Sequence, residues 1–201
     1  MTLQQPDTQL TMTLQQPDTQ LAKRFVWGAI LTVVTVASSL AVACGTPFAA
    51  LAALAALFLP RRDALVLIAV NWLANQAIGF GLLHYPLNWD CYRGGIDLGI
   101  AAGLSTIAAM FAHRALGRMA TALRAIGSFA VAFVTYEAAL FVIGPVGSSA
   151  DFAAPVVLYI FYVNAIAFVG LLLLKSAAAA LGFLFPFAQV QASPRFLDGK
   201  R

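Results

Sequence analysis

Charged side chains are scarce in this chain. Asp, Glu, Lys and Arg supply 10% of its 201 residues, where a soluble domain carries about a quarter. Hydrophobic residues supply 61%, and the mean hydropathy is +0.85. So few charges cannot cover a surface in water. The soluble classes are excluded, and the chain reads as one compact integral membrane unit. The net charge of +4 would suit nucleic acid, but the placement of the positive residues marks membrane orientation instead, so no nucleic-acid partner is expected.

Catalytic signatures are missing as well. Without a GxxxxGK[ST] loop the chain cannot hydrolyse ATP by the P-loop route, and neither HExxH nor GxSxG occurs. The two histidines, His84 and His113, are expected on opposite sides of the membrane, where they cannot share a metal. No catalytic triad assembles on one face.

What the sequence does contain is a series of six apolar segments, at about 25–43, 45–60, 64–83, 94–113, 127–144 and 154–174. A spanning helix needs roughly 20 apolar residues. The second segment is the weakest, because it is short and opens with Gly45 and Pro47. Lys23 and Arg24, Arg61 and Arg62, Arg114, Arg118 and Arg124, and Lys175, Arg195, Lys200 and Arg201 all fall on one side of a six-span layout. Arg93 alone falls on the other. Positive residues collect on the cytoplasmic side. The expectation is an all-α integral membrane protein of six transmembrane helices, with both termini inside and a substrate pocket at the outer face. Residues 22–190 form this membrane domain and 191–201 a cytoplasmic tail. Residues 1–21 hold the polar unit MTLQQPDTQL twice. They read as an appended duplication with Met12 as the expected natural start, and they do not resemble a cleavable signal peptide.

Polar residues inside apolar segments are costly and therefore informative. Asn71, Asn75 and Gln76 lie in the third segment, Asp97 in the fourth, Tyr136 and Glu137 in the fifth, and Tyr159, Tyr162 and Asn164 in the sixth. Most fall in the outer half of the membrane. Together they suggest an outward-facing polar cavity; singly, each Asn or Tyr is equally an interhelical hydrogen bond. Glu137 must be protonated, paired or wet, with Arg93 and the cavity as candidate partners. Small residues four apart, Ala37 and Ala41, Ala49 and Ala53, and Ala52 and Ala56, allow close helix approach, either within the chain or against a partner subunit. The basic loop HRALGRMATALR, 113–124, rests on anionic lipid headgroups or docks a partner.

Cys44 and Cys91 are the only cysteines, and both are expected at the outer face. Three readings stand: a Cys44–Cys91 disulfide, an inert thiol, or a soft ligand or nucleophile. Arg93 beside Cys91 attracts a thiolate, while Asp90 repels it. A thiol without further ligands at metal-site spacing suits a metal already held in a macrocycle that lacks one axial ligand.

Six short helices, both ends inside, the Ala-xxx-Ala spacing of the first segment and a pocket beneath outer loops resemble the substrate-binding (S) subunits of energy-coupling factor (ECF) transporters. Within that group YPLNWDCYRGG, residues 85–95, resembles the cysteine-bearing loop of the BtuM family, cobalamin-specific S subunits. The general likeness covers roughly residues 22–190, the specific part about ten residues. The resemblance implies a bacterial inner-membrane protein that binds cobalamin, with Cys91 as axial ligand to the corrin cobalt and Tyr85, Asp90 and Tyr92 flanking it. It also implies an ECF T subunit and two ATPase subunits as partners, which fits the missing P-loop. Asn75, Gln76, Glu137 and Tyr159 are the candidate partners for the corrin amides, and His84 is the rival cobalt ligand. Cys91 would also be the catalytic group if it displaced the cyanide of cyanocobalamin. The alternatives are a membrane enzyme acting on another substrate through the Cys91 thiol, and a non-transport scaffold with a Cys44–Cys91 disulfide.

Overall fold

The computed structural model describes residues 46–144 and 153–180, with Ala29 and Thr32 from the first segment. The rest of that segment, Cys44, Ala37, Ala41, the 145–152 connection, the duplicated start and the tail lie outside the described residues. Five helices follow one another: α1 (Phe48–Phe58), α2 (Arg61–Gly81), α3 (Trp89–Ala115), α4 (Thr121–Ile143) and α5 (Ala154–Ala180). The described residues contain no strand. Helices α2 to α5 are long and apolar enough to cross a membrane.

The second apolar segment behaves differently from a span. Helix α1 has 11 residues, about 16 Å at the usual rise, which is roughly half a hydrocarbon core. Its sequence, FAALAALAALF, is apolar on every side, and Phe48 to Ala56 are all buried. A helix without a polar face belongs inside a bundle, and its alanines let α2, α3, α4 and α5 all pack against it. Pro60 ends the connection to α2, and the Leu59 N–H still donates to the Ala55 carbonyl at 2.9 Å.

A helix that begins in the interior exposes a problem at its N-terminus. The first N–H groups of any helix lack partners within it, and water does not reach these. Pro47 precedes α1 and offers no side-chain cap. The Phe48 N–H donates to the Thr46 carbonyl at 2.8 Å. The Ala50 N–H donates to Asn164 Oδ1 of α5 at 3.1 Å, and Asn164 Nδ2 donates to the Ile160 carbonyl at 3.0 Å. Asn164, 1% exposed, is therefore a cap supplied from another helix. Asn164→Leu is expected to leave the Ala50 N–H unpaired and to destabilise the protein by about 1–3 kcal/mol. Unfolding in graded denaturing detergent would measure the loss, and stability equal to the wild type would mean that the cap is dispensable.

The α2–α3 pair relies on glycine. A Cβ on Gly95 would run into the Gln76 side chain, and one on Gly99 would approach the Trp72 ring to 2.8 Å. Trp72 can thus approach α3 closely, and its Nε1–H donates to the Gly95 carbonyl at 2.7 Å. Helices α3 and α4 form the most extensive pair, fastened by Ser105 Oγ donating to the Ala132 carbonyl at 2.8 Å. Rings of Phe129, Phe133, Phe161 and Phe168 fill the space between α4 and α5. At the C-terminal end of α1, Lys175 Nζ stands 3.6 Å over the Phe58 ring.

Candidate functional site

Because α1 is short, it stops below the far end of α2. Thr46 marks that level, its Oγ1 donating to Asn75 Oδ1 at 2.7 Å. Beyond it, the last turns of α2, the first turns of α3 and Tyr136 of α4 enclose a cavity of about 210 Å³. Asn75, Gln76, Tyr85, Cys91 and Tyr136 line it together with Phe48, Leu83 and Leu98. Polar groups from three helices thus converge on one apolar-walled space, the general form of a small-molecule site.

Cys91 is not in a loop. The polar stretch 84–95 divides: its first half turns, and Trp89 onward is α3. Asn88 caps that helix, its Oδ1 accepting the Cys91 N–H at 2.9 Å. Asn followed by Asp90 in the first turn is a helix-start signal. Cys91 is half-buried and, among the described residues, a free thiol, and its place in the first turn aims it at the cavity wall.

The turn before α3 is bent back by local chemistry. His84 has φ 54°, in the left-handed region, a conformation that glycine usually takes at helix ends. The Tyr85 N–H then donates to the Gly79 carbonyl at 3.0 Å, and the Tyr85 ring covers Gly79, where a Cβ would come within 2.7 Å. Tyr85 is thereby held as a cavity wall, with its ring edge-on to Phe80 at 6.1 Å. Tyr92 stacks on the same Phe80 at 5.0 Å, one layer outside the cavity.

Of the residues singled out from the sequence, Asn75, Gln76, Tyr85 and Cys91 come together at the cavity. The others do not line it. The His84 and Asp90 side chains are exposed, and Tyr159 on α5 is 55% exposed. Glu137 is next to the lining residue Tyr136, but its own Oε1 is buried without a hydrogen-bond partner among the described residues. Arg93 does not partner Glu137. It lies 3.8 Å from Asp97, one helical turn away, and donates to the Ile143 carbonyl at the end of α4, 3.3 Å away. Asn71 faces the first segment, Nδ2 donating to Thr32 Oγ1 at 3.3 Å. Thr46, Phe48, Gly79 and Tyr136 are among the further lining residues. Trp72 supports it from behind, and the four-residue spacing of Gly95 and Gly99 is the sequence signal that could have revealed this.

Among the described residues no three His, Cys, Asp or Glu side chains cluster to hold a metal ion. Cys91 has the means to meet a metal that a ligand carries in, or to act as a nucleophile on a ligand seated against Asn75, Gln76 and Tyr85. Comparison with family models, with curated proteins and with solved structures returns no match.

Proposed function

We propose that this chain is the membrane-embedded binding subunit of a corrinoid uptake system, with Cys91 as axial thiolate ligand to cobalt. The observation that supports the reading is a thiol, free among the described residues, in the wall of a cavity that amide and phenol groups share with apolar side chains. A soft sulfur donor suits cobalt, the corrin nitrogens fill the equatorial positions, and Asn75 and Gln76 suit the peripheral amides. At 210 Å³ the cavity is smaller than pockets that enclose drug-sized ligands, roughly 300–1,000 Å³, and a corrinoid is larger still. The reading therefore sets the ring across the cavity mouth, with the thiol reaching one axial face. With cyanocobalamin the exchange is redox-neutral. Sulfur donates a pair to form Co–S, cyanide leaves with the Co–C pair, and cobalt keeps its oxidation state. Six membrane-embedded helices, the short interior α1 among them, with both ends inside, a bacterial inner membrane, and a T subunit with two ATPases complete the proposal.

The cavity volume favours a second reading, in which the Cys91 thiol acts on a small substrate that 210 Å³ encloses. A scaffold role with a Cys44–Cys91 disulfide is the third, and Cys44 lies outside the described residues. Titrating the purified full chain with cyanocobalamin and recording the visible spectrum separates them. A saturable shift of the corrin bands at one equivalent is expected. An unchanged spectrum would reject the corrinoid reading.

A further inference from the structure

At the end of the bundle opposite the cavity, α3 turns into α4 through residues 116–120. We propose that this elbow binds the phosphate headgroup of an anionic membrane lipid, with Arg124 and His113 as the inner contacts. A Cβ on Gly127 would run into Leu116 Cδ1, so the two helices close tightly there. His113 stands one turn back along α3 from Leu116, and Arg124 one turn nearer the loop than Gly127, so each flanks the contact within its own helix. Arg114 and Arg118 complete a basic group. Between Asp97 and Glu137 the sequence holds no acidic residue, and none of these arginines has an acidic partner among the described residues.

Two of the group's nitrogens, Arg124 Nε and His113 Nδ1, are buried without a hydrogen-bond partner among the described residues. Such groups are costly, and an anion that turned the two side chains toward itself would relieve them. Helix α4 also starts on Ala120 with no side-chain cap, so its first N–H groups remain open and its dipole favours an anion. The rim gives the source of that anion. Phe111, Met119, Leu123 and Ile126 are each more than half exposed around the cationic group. A free phosphate has no use for an apolar rim, whereas a lipid places its acyl chains on such side chains and its headgroup on the arginines.

The test uses the full chain purified in detergent, with native mass spectrometry of bound dioleoylphosphatidylglycerol and dioleoylphosphatidylcholine. Retention of phosphatidylglycerol over phosphatidylcholine is expected. Arg124→Gln and His113→Gln are each expected to weaken it at least roughly fivefold. Arg62→Gln, a cation outside the elbow, should leave retention unchanged. Folding of each variant is read from its helical circular dichroism, and if one fails to fold the other decides. Equal retention of the two lipids, equal retention by the folded elbow variants, or displacement of the lipid by millimolar inorganic phosphate would overturn the proposal.

Discussion

Gly95→Leu is expected to yield little folded protein, and what does fold should lack the cavity. The backbone of α3 approaches α2 at this point; a single added carbon would meet only the movable end of the Gln76 side chain, but a branched side chain has to fit beneath the rest of it. A leucine adds three more. Overpacking of this kind costs about 1–3 kcal/mol where neighbours can shift. Here the neighbour on one side is Trp72, bonded to the Gly95 carbonyl, so helix separation also breaks that bond and strands an indole N–H in an apolar setting. The expected cost is at the upper end of that range or above it. Gly103, by contrast, has open space where its Cβ would stand. Gly103→Ala should be neutral or slightly stabilising, since alanine is the better helix former by about 1 kcal/mol. Monodisperse yield and detergent-induced unfolding of the two variants make the comparison. Similar behaviour would show that the α2–α3 contact does not depend on the glycine.

The same contrast shows what could be read from residues alone. Hydropathy located the long helices: the apolar runs at 64–83, 94–113, 127–144 and 154–174 fall within or nearly within α2, α3, α4 and α5. It could not locate the start of α3. The turns from Trp89 to Arg93 are polar, and they are helical because Asn88 caps them. Nor could it separate a short interior helix from a span, since an alanine–leucine run is apolar either way. The length of α1 is set at one end by Pro60 and at the other by an amide from α5, 114 residues away in sequence. The site was legible where a polar residue on α2 had to face inward, as at Asn75 and Gln76. It was not legible where neighbouring residues point apart. Tyr85 and Cys91 face the cavity while His84, Asp90 and Tyr92 do not, and that sorting follows from one left-handed residue and one cap. Tyr159 shows the limit on α5, where a phenol in an apolar run is exposed rather than inward.

Cys91→Ser is expected to remove the thiolate signature from the visible spectrum of bound cobalamin and to stop the loss of cyanide from cyanocobalamin. Serine keeps the size of the side chain and leaves the Asn88 cap, which uses the backbone N–H, untouched. The fold and the cavity should therefore persist, and the substitution isolates the sulfur. A neutral hydroxyl is a hard, weak donor beside a thiolate, so ligation to cobalt should be lost outright. On the proposed corrinoid reading the ring would still meet Asn75, Gln76 and Tyr85, so weak binding should survive. Tyr85→Ala works differently. It takes away the wall that rests on Gly79 and should weaken binding, at roughly 1–3 kcal/mol, without altering the spectrum of the fraction bound. His84→Ala should change neither spectrum nor cyanide release, because the imidazole is outside the cavity lining. The decisive measurement is the spectrum of the Cys91→Ser protein saturated with cyanocobalamin. If it matches the wild-type spectrum, Cys91 is not the cobalt ligand, and if His84→Ala abolishes the shift instead, the imidazole takes its place.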